Sequence, residues 1–216
     1  MENGKIGPVT TGEPLGFTSH CTRLSARSGT DGNEEGGQVR FSIAIGIKNG
    51  KNRHMKTLIL VRHGKSSWEY NVSDRDRPLM ERGIMDVNKV AKQFLSNTMP
   101  IDAAYSSPAN RALHTAMIFL RAISFPLTEF RLSNELYDFS GEEVYQFIKA
   151  LNNDKDTVII FGHNEAFTHI ANSLGNMYID NVPTSGLVQL KFDTNDWSAV
   201  TTGTTVRTLF PKQLKE

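Results

Sequence analysis

A short aliphatic run that ends in an arginine and a histidine limits most strongly how this chain can fold. Residues 58–61 read Leu-Ile-Leu-Val, and Arg62, His63 and Gly64 follow directly. Such an uninterrupted run predicts a strand that is buried on both faces, as in a mostly parallel sheet. Ligands of open α/β sheets bind just beyond the carboxyl ends of the strands. Arg62, His63 and the nearby Ser66 are therefore candidates for an anion site, although a strand that simply ends in polar surface residues fits this stretch equally well.

The composition limits the classes of protein to consider. The length of 216 residues suits one domain with an extension. A formal net charge of +1 gives no support to a nucleic-acid or membrane-surface partner that would be bound through bulk charge. Cys21 is the single cysteine, so no internal disulfide can form and a reducing, cytoplasmic location is expected. The sequence contains neither an apolar run of membrane-spanning length nor the pattern of a secretory signal.

Residues 1–54 differ in composition from the rest of the chain. Glycine, serine and threonine are frequent there, and residues 31–37 form a polar, turn-rich run. Such a segment cannot bury enough apolar surface to offset its ordering entropy, so we predict a disordered leader before a domain at residues 55–216. A transit peptide is the alternative, which the acidic residues of the segment weaken. Residues 39–47 alternate enough to form one short strand.

Strands and helices alternate along residues 55–216. This alternation predicts a three-layer α/β/α sandwich whose sheet is mostly parallel, with an antiparallel hairpin at its edge. Ser107 is predicted to cap the second helix, because serine before a proline such as Pro108 is a common helix start. The predicted elements are strands at 58–63, 101–105, 128–132 and 157–161, helices at 81–95, 108–121, 141–151 and 165–174, and a hairpin of 187–192 and 199–208.

Similar side chains follow three of the predicted strands. Arg62 and His63 end the first strand. Arg111 lies in the first turn of the helix after the second strand, and His163 and Asn164 follow the strand at 157–161. If these strands are parallel, all three ends lie at one edge of the sheet, and the side chains converge on one pocket.

This set of side chains suits a phosphoryl group. Arginine presents paired donors that match phosphate oxygens, and helix N-termini add unpaired N–H groups. A neutral histidine can attack phosphorus, while a second, protonated histidine can bind an equatorial oxygen. Each residue taken alone would more often be structural. His114 and His169 lie inside predicted helices and are predicted to be structural, and the six-residue separation of His163 and His169 does not favour a metal site.

Three motifs together resemble the histidine phosphatase superfamily, whose members have the phosphoglycerate-mutase-like fold. The motifs are Leu60-Val61-Arg62-His63-Gly64, Ser106-Ser107-Pro108 with Arg111-Ala112 and Thr115-Ala116, and Gly162-His163. The compact chain is similar to the SixA-type phosphohistidine phosphatases in particular. The resemblance covers about Lys56 to the C-terminus. It implies that His63 is the nucleophile, that Arg62, Arg111 and His163 hold the phosphate, and that no cofactor or metal is needed. Ser66 and Asn164, which are close to these residues in the sequence, are further candidates for substrate binding.

The resemblance leaves the general acid open. Many members protonate the leaving oxygen with a carboxylic acid, and Glu135 lies where the mutase-like members carry that acid. SixA-type enzymes are thought to manage without one, because imidazole leaves more readily than an alkoxide. Glu135 is therefore a tentative general acid, with a solvated loop carboxylate as the alternative.

The expected function is hydrolysis of a phosphoryl group through a phosphohistidine intermediate on His63. The segment 136–141 is short, which argues against a mutase and fits a phosphohistidine protein or a small phosphate ester as substrate. A broad phosphomonoesterase is one alternative. A non-catalytic phosphate-binding module is another, which the presence of both histidines and both arginines disfavours. The sequence leaves the oligomeric state open.

Overall fold

The computed structural model describes residues 55–95 and 99–214. The predicted leader, with its possible strand, lies outside these residues. Among the described helices, none is long and apolar enough to cross a lipid bilayer. The strands are β1 (Lys56–Arg62), β2 (Ala103–Ser106), β3 (Phe130–Leu132), β4 (Thr157–Gly162), β5 (Leu187–Phe192) and β6 (Thr204–Leu209), and the helices are α1 (Glu81–Leu95), α2 (Asn110–Ala122), α3 (Glu142–Lys149) and α4 (Asn164–Leu174).

A six-stranded sheet forms the middle layer, with the strand order β3-β2-β4-β1-β5-β6. The pairs β3–β2, β2–β4 and β4–β1 are parallel. The pairs β1–β5 and β5–β6 are antiparallel. The predicted mostly parallel sheet with an antiparallel edge is confirmed. Because β2, β4 and β1 are direct neighbours, their carboxyl ends lie side by side at one edge of the sheet.

The central strands are buried on both faces, as their aliphatic runs predict. Leu58 and Ile160 belong to a core cluster that includes residues of α3 and α4. Ile59 and Phe161 belong to a second cluster that includes residues of α1 and α2. Burial of each such side chain contributes about 1.5–3 kcal/mol. The helices therefore cover the two faces of the sheet in pairs, which confirms the three-layer sandwich.

The second helix begins later than the sequence predicts. Ser107 is not its N-cap, since α2 begins at Asn110 and Ala109 occupies the cap position in an extended conformation. The Ala109 carbonyl accepts the N–H groups of the first turn, from Ala112 and Leu113, at 2.9 Å each. The Ser107 hydroxyl instead bonds to the ring of His163 at 2.9 Å. The Ser107 side chain therefore binds a buried imidazole and does not cap the helix.

Two strands begin later than the sequence predicts, and a 3₁₀ turn precedes each of them. Leu127–Glu129 forms such a turn, and β3 begins only at Phe130. Trp197–Ala199 forms another, started by the Asp196 carboxylate, which accepts the Ser198 N–H at 2.9 Å. These turns shorten the strands without changing their place in the sheet.

Helix α1 packs directly against the backbone that follows His63. The Met80 N–H, just before the helix, donates to the Lys65 carbonyl at 2.8 Å. A Cβ at Gly83 would lie 2.4 Å from the Lys65 carbonyl oxygen and 2.7 Å from its nitrogen. The first turn of α1 therefore approaches this loop more closely than a side chain at Gly83 would allow.

Replacing Gly83 with alanine should destabilise the protein, even though alanine favours a helix by about 1 kcal/mol over glycine. The added methyl group must displace the Lys65 backbone, and overpacking of this kind costs about 1–3 kcal/mol. Urea unfolding measures the change. The control is Met85→Ala, at an exposed position of the same helix, which should shift stability by less than about 0.5 kcal/mol. A Gly83→Ala protein as stable as wild type would contradict the close contact.

Candidate active site

Two histidines lie together in a cavity of about 500 Å³ at the carboxyl edge of the parallel strands. His63 follows β1 and His163 follows β4, and these two strands are neighbours. The ring centroids are 5.3 Å apart. Only 8% of His63 and 1% of His163 is exposed. The structure thus brings together the two histidines that follow strands in the sequence.

The ring of His63 is a neutral imidazole whose Nε2 carries no proton. Its Nδ1 lies 2.7 Å from the Gly64 carbonyl oxygen, which can only accept a hydrogen bond, so Nδ1 carries the proton. Arg111 Nε donates to Nε2 at 3.3 Å. Burial, together with the positive charges of Arg111 and Arg62, lowers the pKa of His63 to about 3. Nε2 is consequently available as a nucleophile at neutral pH.

His163 takes the opposite tautomer. Arg111 Nη2 lies 3.4 Å from His163 Nδ1, and a guanidinium can only donate, so Nδ1 is the acceptor. Nε2 then carries the proton and donates to Ser107 Oγ at 2.9 Å. Burial and the charge of Arg111 lower the pKa of His163 to about 3. Both imidazoles are therefore neutral in the free protein.

Arg62 reaches the same cavity from the end of β1. Its Nη1 donates to the Val182 carbonyl at 2.7 Å. Its Nε is buried and has no acceptor among the described residues. Burial lowers the pKa of Arg62 to about 10, which still leaves the guanidinium charged at neutral pH. An unpaired, buried donor on a cation indicates a place for an anion.

An ion-pair network at this cavity was missed from the sequence. The Asp74 carboxylate pairs with Arg111 Nη2 at 2.9 Å and with Arg77 Nη1 at 3.2 Å, and it accepts the Tyr137 hydroxyl at 2.9 Å. Although burial opposes ionisation, the hydrogen bonds from Tyr137 and Arg111 lower the pKa of Asp74. This carboxylate is therefore ionised and balances part of the positive charge of the cavity.

Arg77 adds a third guanidinium to the cavity. Its Nη2 donates to the hydroxyl of Ser66, one of the predicted binding residues. Its Nε, like that of Arg62, is buried without an acceptor in the described part of the chain. The sequence gives only weak evidence that Asp74 and Arg77 belong to the site. Residues 74–77 alternate acidic and basic side chains, a pattern typical of a solvated connection.

The remaining predicted residues divide between the cavity and the surface. Asn164 lines the cavity as the first residue of α4. Glu135 does not line it: the carboxylate is exposed and accepts the Ser133 hydroxyl, and this bond lowers the pKa of Glu135. A general acid at neutral pH needs a raised pKa, so the structure lends the tentative role of Glu135 no support. Asp74 and Glu165 are the carboxylates of the described residues that line the cavity.

Two further histidines among the described residues lie on helix surfaces. His114 is exposed on α2 and His169 is exposed on α4, and neither lines this cavity. Within residues 55–95 and 99–214, no group of three or more His, Cys, Asp or Glu side chains is placed to hold a metal ion.

Comparison with known proteins connects this geometry to a family. The sequence profile of the histidine phosphatase superfamily (branch 1) matches residues 58–142, which include Arg62, His63 and Arg111. Over residues 58–142 the chain therefore matches the family that its sequence motifs predict, the histidine phosphatase superfamily. An uncharacterised protein of Mycobacterium tuberculosis (strain H37Rv) is 26% identical over 153 residues, which cover 66% of this chain and 93% of that protein.

Solved structures share the fold of this histidine phosphatase. A putative phosphohistidine phosphatase SixA from Agrobacterium tumefaciens superposes with a TM-score of 0.61 at 23% identity, over 72% of this chain and 98% of that chain. The protein histidine phosphatase SixA complexed with tungstate gives a TM-score of 0.61 at 23% identity, over 74% of this chain and 99% of that chain. At this identity the likeness shows the fold. The predicted family, fold class and enzyme class, a histidine-type phosphatase, are confirmed.

The unfolding free energy of this histidine phosphatase should fall as the pH is lowered from about 7.5 to about 5.5. In the unfolded chain a histidine has a pKa of about 6.5, whereas folded His63 and His163 stay neutral down to a pKa of about 3. Below pH 6.5 protons therefore bind preferentially to the unfolded state. The stabilisation by the neutral histidines is complete above pH 6.5 and is lost progressively as the pH falls towards 3. Between pH 7.5 and 5.5 the unfolding free energy should fall by about 1 kcal/mol per histidine.

Urea unfolding at the two pH values measures this loss, and histidine variants assign it. His163→Asn should lose less stability between the two pH values than wild type does. His114→Asn removes an exposed histidine and should keep the wild-type pH dependence. If the His163→Asn protein responded to pH as wild type does, His163 would not be buried in its neutral form.

Proposed function

We propose that this protein hydrolyses phosphoryl compounds through a phosphohistidine intermediate on His63. The observation that carries the proposal is the unprotonated Nε2 of His63 inside a buried, cationic cavity. Two guanidinium groups of that cavity, those of Arg62 and Arg77, keep a buried Nε without an acceptor. Leaving such a donor unpaired costs about 1–3 kcal/mol, so the site favours a ligand with several anionic oxygens.

The proposed reaction has two steps. His63 Nε2 attacks phosphorus and a P–N bond forms, while the bond from phosphorus to the leaving group breaks. Its electron pair goes to the leaving group, which takes a proton from solvent. Water then attacks the phosphohistidine, the electron pair of the breaking P–N bond returns to Nε2, and inorganic phosphate leaves. Arg62 and Arg111 hold the phosphoryl oxygens through both steps. A phosphoryl dianion beside His163 raises its pKa, so that Nδ1 gains a proton and donates to an oxygen.

We infer that the substrate is a phosphohistidine carried by a protein. An imidazole leaves phosphorus with less help from an acid than an alkoxide needs. Hydrogen bonding keeps the carboxylate of Asp74 ionised, which suits such a leaving group. The SixA proteins that share the fold support the same substrate class, and one of them is complexed with tungstate, a tetrahedral oxyanion like phosphate.

A small phosphate ester is the second candidate substrate. The cavity volume of about 500 Å³ lies within the range of small-molecule sites. A panel that contains a phosphohistidine peptide and common phosphate esters separates the two candidates. We further propose that residues 55–216 form the catalytic domain and that the protein works in the cytoplasm, where its single cysteine, Cys21, would stay reduced.

Replacing His63 with asparagine should lower turnover of a phosphohistidine peptide and of phenyl phosphate by at least about 10³-fold, because the nucleophile is lost. Wild-type enzyme quenched in base during turnover should carry an acid-labile phosphoryl group on His63, located by mass spectrometry. His114→Asn, a change at an exposed histidine, should keep both activity and label. Wild-type turnover by the His63→Asn protein, or a label on another residue, would be evidence against the mechanism.

Replacing Glu135 with glutamine should change turnover of both substrates little and equally. Its carboxylate lies outside the cavity, so the effect should stay well below the loss of about 10²-fold or more that follows removal of a general acid. Steady-state kinetics with phenyl phosphate and a phosphohistidine peptide provide the measurement. A large loss confined to phenyl phosphate would restore Glu135 as the acid.

A further inference from the structure

Two exposed aromatic side chains line the cavity that holds His63. Trp68 is 74% exposed and Phe139 is 46% exposed. Among the described residues, they are the only apolar side chains that line this cavity; the other lining side chains are charged or polar. The phosphoryl chemistry proposed above uses neither of them. Large exposed aromatic groups at the mouth of a polar cavity are typical of a binding surface.

The indole of Trp68 is held in a defined orientation. The guanidinium carbon of Arg77 lies 3.3 Å from the centroid of the indole ring, which is a close stacking contact. Arg77 is itself fixed by hydrogen bonds to Ser66 and Asp74. Because three quarters of Trp68 remains exposed, the face opposite Arg77 is open to a ligand.

Phe139 is oriented by its own set of rings. Its centroid lies 4.9 Å from that of His163 and 5.3 Å from that of Tyr137. The Tyr137 and His163 centroids are also 5.3 Å apart, so the three rings form one cluster. Nearly half of Phe139 stays exposed beside the histidine that borders the phosphoryl position. A leaving group that extends from the phosphoryl position past His163 would contact this ring.

The cavity has room for such a group. Its volume of about 500 Å³ is typical of sites that enclose a whole small molecule, and a phosphoryl group fills only a part of it. The arginines and histidines account for the anionic part of a ligand. The aromatic rings are the apolar surface in this cavity that can contact the group that departs.

We propose that Trp68 and Phe139 form a leaving-group subsite that selects phosphoryl compounds with a planar aromatic leaving group over those with an aliphatic one. The inference rests on the proposed function, because it requires the phosphoryl group to bind beside His63. Aromatic faces attract planar rings by stacking and edge contacts beyond simple burial, whereas an aliphatic group gains burial alone. The imidazole of phosphohistidine and the ring of an aryl phosphate fit this subsite; a phosphoserine side chain or a sugar does not.

Two non-hydrolysable ligands test the subsite directly. Phenylphosphonate and cyclohexylphosphonate share the phosphonate and a six-carbon ring, and they differ in the planarity and π-character of that ring. In titration calorimetry, wild type should bind the phenyl compound about two- to tenfold more tightly. Trp68→Leu and Phe139→Leu should each bring this ratio towards one without changing the affinity for inorganic phosphate. Tyr70→Leu is the control, since Tyr70 is 60% exposed and does not line the cavity.

The possible outcomes separate this subsite from the catalytic role of His63. Equal binding of the two phosphonates by wild type, or an unchanged ratio in both leucine variants, would overturn the subsite even if His63→Asn abolishes turnover. A retained preference with full activity in His63→Asn would support the subsite and contradict the mechanism. Loss of phosphate affinity in Trp68→Leu would show that the indole acts through Arg77, which contradicts its assigned role. If wild type did not bind phenylphosphonate at all, the subsite would be overturned, and turnover by His63→Asn would still decide the mechanism.

Discussion

The site depends on one guanidinium, that of Arg111. It donates to Nε2 of His63, to Nδ1 of His163 and to the carboxylate of Asp74. Because a guanidinium donates and never accepts, these contacts define the acceptor nitrogen on each ring. Both imidazoles can then be buried in their neutral forms, which avoids the large cost of burying an uncompensated charge. Asp74 offsets the charge of the arginine, so the arrangement is stable before any anion arrives.

The fold holds both the Arg111 guanidinium and the loop after β1 in place. Parallel pairing of β4 with its neighbours β1 and β2 brings the ends of the three strands to one edge. Thr115 then ties the end of β1 to α2: its hydroxyl accepts the Gly64 N–H at 2.9 Å and donates to the Arg111 carbonyl at 2.7 Å. Helix α1 also contacts this loop, because Gly83 packs closely against the backbone of Lys65. The residues around His63 are therefore held by two helices at once, which suits the nucleophilic role proposed for His63.

The site residues predicted from the sequence all follow strands, and the aliphatic runs of these strands can be recognised without tertiary information. His63, Arg111 and His163 were located this way. The rules failed where a side chain had a long-range partner. Ser107 satisfies a local capping pattern, yet its hydroxyl bonds to an imidazole 56 residues further along the chain. Glu135 is a different case: its exposed carboxylate bonds to the nearby Ser133, and its role as a general acid stays a prediction.

The sequence by itself determined the order of the elements, the parallel core and the histidines and arginines at the strand ends. These follow from hydrophobic periodicity and from the rule that neighbouring parallel strands end together. Only the tertiary structure decided the proton positions on both rings and the inclusion of Asp74, Arg77, Trp68 and Phe139 in the cavity. The physical reason is that the tautomers depend on distances between groups far apart in the chain. The connection that carries Asp74, Arg77 and Trp68 has no periodicity of its own and takes its conformation from the surfaces it contacts.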